Sequence, residues 1–179
     1  MNRIESSITG EKRYVTLLGI FIFSLTIKIA ISYFCTDPVI FQKYPYFAEQ
    51  LSNGVDIGER LLDLSPLYLY ITTIFYSVFG PHWQSFILFQ ILLGSVNCLI
   101  IFVIASRIFN ATVGFFAAAM LMMYGNVTLI ELTLEPEALL LFINSLAILA
   151  LLQAGGEHCT PVRPWRWFLA GVLIGLSAA

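Results

Sequence analysis

The sequence has little charge. Only 11% of its 179 residues are Asp, Glu, Lys or Arg, while 59% are hydrophobic and the mean hydropathy is +0.86. A soluble domain of this length needs a charged shell, and too few such residues are present to build one. A basic excess is missing too. Nine Lys and Arg stand against eleven Asp and Glu, a net charge of -2, so nothing points to a nucleic-acid partner or a basic tail. Cysteine is sparse: Cys35, Cys98 and Cys159 lie far apart and at different expected bilayer depths, so no disulfide framework is expected.

What is present is a series of long apolar runs broken by short polar clusters. The first, Val15 to Phe34, has about the 20 residues that cross a bilayer core. Only Lys28 interrupts it, and Arg3, Lys12 and Arg13 precede it, which favours a cytoplasmic N-terminus over residues 1–14. A cleaved signal would need a shorter core and a small-x-small site. The bulky Ile31-Ser32-Tyr33-Phe34 favours an uncleaved signal anchor. Further spans are expected at roughly Gln84–Ser106, Thr112–Tyr124 with its extension, and Pro136–Leu152. A last run starts near Trp165 and stops at Ala179. The expectation is therefore of the N-terminal part of a longer protein, inactive in isolation.

The fold class expected is all-α: a polytopic transmembrane bundle with a long external loop carrying interfacial helices. The difficult segment is Pro66–Phe79, which opens like a helix with Ser65 as cap and Pro66 at its first position. At 1.5 Å per residue it reaches only about 21 Å, short of the roughly 30 Å hydrocarbon core. If it crosses, Arg107, Arg163 and Arg166 fall outside. If it stays at the outer face, all three become cytoplasmic, as the positive-inside rule prefers. The second arrangement is adopted. It puts Asp37, Glu49, Asp56, Glu59 and Asp63 in an external loop over about residues 35–83, and Glu131, Glu135 and Glu137 in or beside a second over 125–136. The first loop is longer than a mere connection, and long ordered loops are often functional. Within it, Tyr44, Tyr46, Phe47 and Leu51 are expected to form an apolar helical face resting on the membrane.

The order of several short motifs carries a resemblance. Asp37-Pro38 follows the first run, then Tyr44, Ala48 and Asn53-Gly54, then Asp63-Leu64-Ser65-Pro66-Leu67-Tyr68 and Phe79-Gly80. Ala105-Ser106-Arg107-Ile108-Phe109, Gly114-Phe115-Phe116-Ala117-Ala118-Ala119 and Glu135-Pro136-Glu137 complete the series. From about Leu17 to Leu152 the chain resembles the N-terminal half of the GT-C glycosyltransferases, particularly the bacterial family 39-like branch. That branch is related to protein O-mannosyltransferases, the lipid A aminoarabinose transferase and the oligosaccharyltransferase catalytic subunit. No single motif is specific; the resemblance rests on the order and spacing of the set.

The resemblance implies a sugar transferase using a polyprenyl-phosphate carrier at the outer face of the inner membrane, with membrane lipid around it and an unidentified acceptor. It implies a catalytic role for Asp37, which matches the family's aspartate after the first span. It implies one for Asp63 too, since Asp63-x-Ser65-Pro66-Leu67 partly matches the Asp-x-His-Pro-Pro-Leu stretch, with serine for histidine and one proline missing. Glu135-x-Glu137 matches the acid-x-acid spacing of the oligosaccharyltransferases, which makes the pair candidate ligands of a divalent metal ion, a requirement that differs among relatives and stays open here. Lys28, Arg60 and Tyr68 complete the set as substrate contacts. Relatives usually continue for several more spans, often with an external C-terminal domain.

The chemistry suits that placement. Glycosyl transfer needs a carboxylate to deprotonate or orient the acceptor, and positive charge near the departing phosphate. Hard divalent cations prefer carboxylate oxygens. Each residue also has a plainer reading. Asp37 then marks the end of a span, Asp63 is a solvated residue before the Ser65 cap, and Glu135 and Glu137 favour a helix N-terminus. Glu131 is read as interfacial and structural, Arg60 as solvated, and Lys28 as snorkelling outward unless it faces the bundle. His82 reads as an interfacial turn, His158 as a cytoplasmic loop residue, and Trp165 with Trp167 as an aromatic belt. The glycosylation triplets at Asn110 and Asn126 are of a kind frequent by chance. The competing function is a transporter or flippase for a lipid-linked substrate, which would place ionisable groups near the midplane and show repeated halves. A non-catalytic membrane scaffold is the third.

Overall fold

A computed structural model describes residues 2–34, 43–55, 58, 64–155 and 164–177, with side chains from Val15 onward. Eight helices follow in order among them: α1 (Asn2–Phe34), α2 (Lys43–Ser52), α3 (Pro66–Phe79), α4 (Trp83–Ile108), α5 (Ala111–Met123), α6 (Gly125–Leu132), α7 (Glu137–Ala154) and α8 (Pro164–Ser177). No strand occurs among the described residues. Among the described residues, three stretches are long and apolar enough to cross a membrane: Val15–Phe34, Trp83–Ile108 and Glu137–Ala154. A fourth is α5 with α6, bent by 53° at Tyr124. The protein is thus a multi-pass helical membrane protein.

The outward faces fit lipid. Val15, Leu18 and Phe23 on α1, and Phe116, Met120 and Met123 on α5, are exposed, an arrangement hydrocarbon rather than water stabilises. The inward faces hold the bundle together. Ser24 Oγ lies 3.5 Å from Cys98 Sγ, and one helical turn along α1, Lys28 lies against Gly94. Advancing along α1 therefore means retreating along α4, so the two run antiparallel. The chain that leaves α1 at Phe34 and enters α4 at Trp83 starts and finishes at the same end of the bundle. The turn between α6 and α7 also lies there, because Gln90 in α4 bonds to the backbone of Glu135.

Several local expectations need correction. Ser65 stands at the cap position and Pro66 opens α3, but the Ser65 side chain makes no capping bond. Its backbone N–H instead donates to the Tyr44 hydroxyl at 3.2 Å. In α2, Ala48 is fully buried, and Tyr44, Phe47 and Leu51 pack on the protein core. These positions recur at three- and four-residue spacing and form one helical face. That face meets the bundle, while Tyr46 points away and is exposed. Asn110 is a helix cap, its side-chain oxygen accepting the Val113 N–H at 2.9 Å, a bond that satisfies an otherwise orphan donor. The stretch 125–136 is mostly the helix α6, and its non-helical turn is Thr133–Pro136.

Candidate active site

The acidic turn is built from three sources. Leu134 adopts a left-handed backbone, φ 56°, a conformation that costs a non-glycine residue about 1–3 kcal/mol and persists only when its surroundings fix it. Here burial fixes it: the Leu134 side chain is 1% exposed in the main core cluster. Gln90 fixes the next residue, its Nε2 donating to the Glu135 carbonyl at 3.2 Å and to the Tyr68 hydroxyl at 3.1 Å. Glu137 then opens α7, where a carboxylate is favoured by the helix dipole.

Tyr68 joins α3 to this turn. Its ring is buried, edge-on to Tyr44 at 4.9 Å and to Phe86 at 5.8 Å between centroids. Burial pushes its phenol well above the usual range, helped by the charges of Tyr76, Tyr44 and Glu137 against the opposing bond from Gln90. It therefore stays protonated. Glu135 is half-buried and Glu137 exposed. Burial raises the Glu135 carboxyl above its ordinary value, and the neighbouring Glu137 charge adds to the shift, because two carboxylates that share a site resist double ionisation.

The sequence-predicted residues fall into three groups. Tyr68, Glu135 and Glu137 are brought together at one end of the bundle. Lys28 is not with them. It is 1% exposed and paired with Glu131, itself 2% exposed, so neither snorkelling of the lysine nor an interfacial place for the glutamate holds. A single helix face could not reveal this, because the partners are far apart in sequence. Asp37, Arg60 and Asp63 lie outside the described residues. Gln90 was missed by the sequence reading, although a glutamine in so apolar a run was the available signal. Among the described residues, no three of His, Cys, Asp or Glu gather as a metal-holding group.

These features define a class: a multi-pass helical membrane protein with a carboxylate pair at one bundle end and one charged pair buried between helices. The chain belongs to the dolichyl-phosphate-mannose-protein mannosyltransferase family, whose model matches residues 63–178. It is accordingly a membrane glycosyltransferase of the GT-C kind. The match begins at Asp63, so Lys28 and Asp37 lie before it, and it runs past Leu152 through α8. Neither the curated proteins nor the solved structures give a match.

Proposed function

We propose that the protein moves a sugar from a polyprenyl-phosphate carrier to an acceptor at the outer face of the inner membrane. The acceptor loses its proton to a carboxylate, its oxygen or nitrogen bonds to the anomeric carbon, and the bond from that carbon to the phosphate oxygen breaks. Polyprenyl phosphate leaves. Asp37 is proposed as the base, Asp63 as a second catalytic carboxylate and Arg60 as a contact for the donor, while Tyr68, buried and bonded to Gln90, acts by positioning the acidic turn. Glu135 and Glu137 would hold a divalent cation through their carboxylate oxygens, and such an ion would supply positive charge for the departing phosphate.

The observation that carries the reading is the tie from Tyr68 through Gln90 to Glu135, at the end of the bundle where α1 finishes. It joins the first loop region to the acidic turn of the second. The test uses the whole gene product purified in detergent. Release of polyprenyl phosphate from a polyprenyl-phosphate sugar, dependent on acceptor, is expected. One observation favours the transporter instead, namely the buried Lys28–Glu131 pair, since intramembrane charges often mark transport paths. Movement of intact donor across sealed vesicles, with no bond cleavage in detergent, would move the reading there.

Sidedness is a further part of the proposal, supported by the antiparallel packing of α1 and α4 together with the arginine distribution. In a background without Cys35, Cys98 and Cys159, His82→Cys is expected to react with an impermeant thiol reagent from outside, and Phe109→Cys only after permeabilisation. Phe109 is exposed, and it closes α4 through its backbone N–H alone, whereas the Asn110 side chain itself makes a capping bond. Reversed labelling would reject the external assignment.

A further inference from the structure

The bundle holds one feature that the proposed chemistry does not use. Lys28 of α1 and Glu131 of α6 form an ion pair with 1% and 2% of their side chains exposed. It occupies a space kept open by α4, because a β-carbon at Gly94 would overlap the Glu131 carboxylate and stand 2.6 Å from Lys28 Nζ. Three helices thus meet at one pair of charges. Such an arrangement is poor value as a general stabiliser, since well-packed apolar side chains often serve as well. It is also incompletely satisfied: Glu131 Oε2 and Thr128 Oγ1, one turn earlier on α6, have no hydrogen-bond partner among the described residues.

Its location is informative. Glu131 is the penultimate residue of α6, three before the strained Leu134 and four before Glu135. Lys28 lies in the last turns of α1, the helix that leads to Asp37. Between Tyr124 and Leu132 the broken span has no other charged side chain, so nothing else on α6 can fix its 53° bend electrostatically. A contact of hydrophobic residues would hold α6 against the bundle but would tolerate sliding, whereas a charge pair in hydrocarbon has one favourable register.

We propose that Lys28 and Glu131 are positioning residues: an intramembrane latch, seated at Gly94, that sets the register of α6 against α1 and so holds the Glu135–Glu137 turn over the reaction site. Lys28 is then the counter-ion of Glu131 and not a contact of the donor phosphate. The catalytic half of this inference rests on the transferase reading; the latch itself does not.

The experiment uses the whole gene product with Lys28→Met, Glu131→Leu, their combination, and the exchange Lys28→Glu with Glu131→Lys. Melting temperature in detergent tests the latch without reference to activity. Each single change is expected to lower it, and both the apolar pair and the exchanged pair to recover most of the loss. Steady-state transfer tests the positioning. Either single change is expected to lower kcat by roughly 10²-fold, the scale for a reacting group displaced by about 1 Å, with KM for the donor unchanged and kcat recovered in the exchange. A rise in donor KM with Lys28→Met alone would make Lys28 a phosphate contact and overturn the proposal. Additive melting effects, or failure of both double variants to fold, would overturn the latch. Coupled melting effects in a protein that transfers no sugar would reject the transferase reading and leave the latch standing.

Discussion

Replacing Gly114 with valine is expected to break the packing of α4 on α5 and to cost about 3 kcal/mol or more, with alanine costing about 1–3 kcal/mol, the range for forcing extra methyl groups into a packed core. A β-carbon at Gly114 would overlap the Ser106 hydroxyl and lie 2.8 Å from the Phe102 carbonyl oxygen and 3.1 Å from the Ser106 backbone nitrogen. Two of those atoms are backbone and cannot turn aside, so the helices must separate. Helices in lipid rely on such close approach, since no hydrophobic force drives one apolar surface onto another there. The sign is diagnostic, because alanine is the better helix former by about 1 kcal/mol where no contact opposes it. Gly171, with nothing within 4 Å of its would-be β-carbon, supplies the control: Gly171→Ala is expected to be neutral or mildly stabilising. Melting in detergent reads both. A Gly114→Ala protein as stable as the parent would show that the two helices do not meet at this distance.

Asp37→Asn is expected to reduce sugar transfer by roughly 10²–10⁴-fold, the contribution typical of a positioned general base. The change is nearly isosteric and removes basicity, so expression, insertion and melting temperature should stay as they were. Position supports the choice: Asp37 follows α1 by three residues, and α1 finishes at the end of the bundle that carries the Glu135–Glu137 turn. Polyprenyl phosphate release in detergent is the measurement, and turnover at the parental rate would remove Asp37 from the mechanism. Glu135→Gln and Glu137→Gln should cause smaller losses. Added divalent cation restores part of them if these carboxylates hold metal, and an absence of restoration removes the metal from the proposal.

The contrast between Ser65 and Lys28 shows what a sequence reading can reach. Ser65-Pro66 located the start of α3 because proline fixes its own backbone angle and cannot continue a helix on its N-terminal side. The bond that satisfies the Ser65 N–H came from Tyr44, which local chemistry does not name. Similarly, the spacing of Tyr44, Phe47, Ala48 and Leu51 announced an amphipathic face. Whether that face met lipid or protein depended on where α3 lay.

By itself the sequence determined the class, the positions of the apolar helices and the resemblance to a transferase family. Those follow from local quantities: run length against bilayer thickness, residue periodicity, proline and charge. The tertiary structure decided which residues share a place. It sent Lys28 inward to Glu131, made Gln90 the link between Tyr68 and the acidic turn, and set α1 antiparallel to α4. The reason is physical. In hydrocarbon a buried charge or amide must find a partner wherever the bundle supplies one, and that partner lay 103 positions along the chain for Lys28, beyond the reach of any helical period.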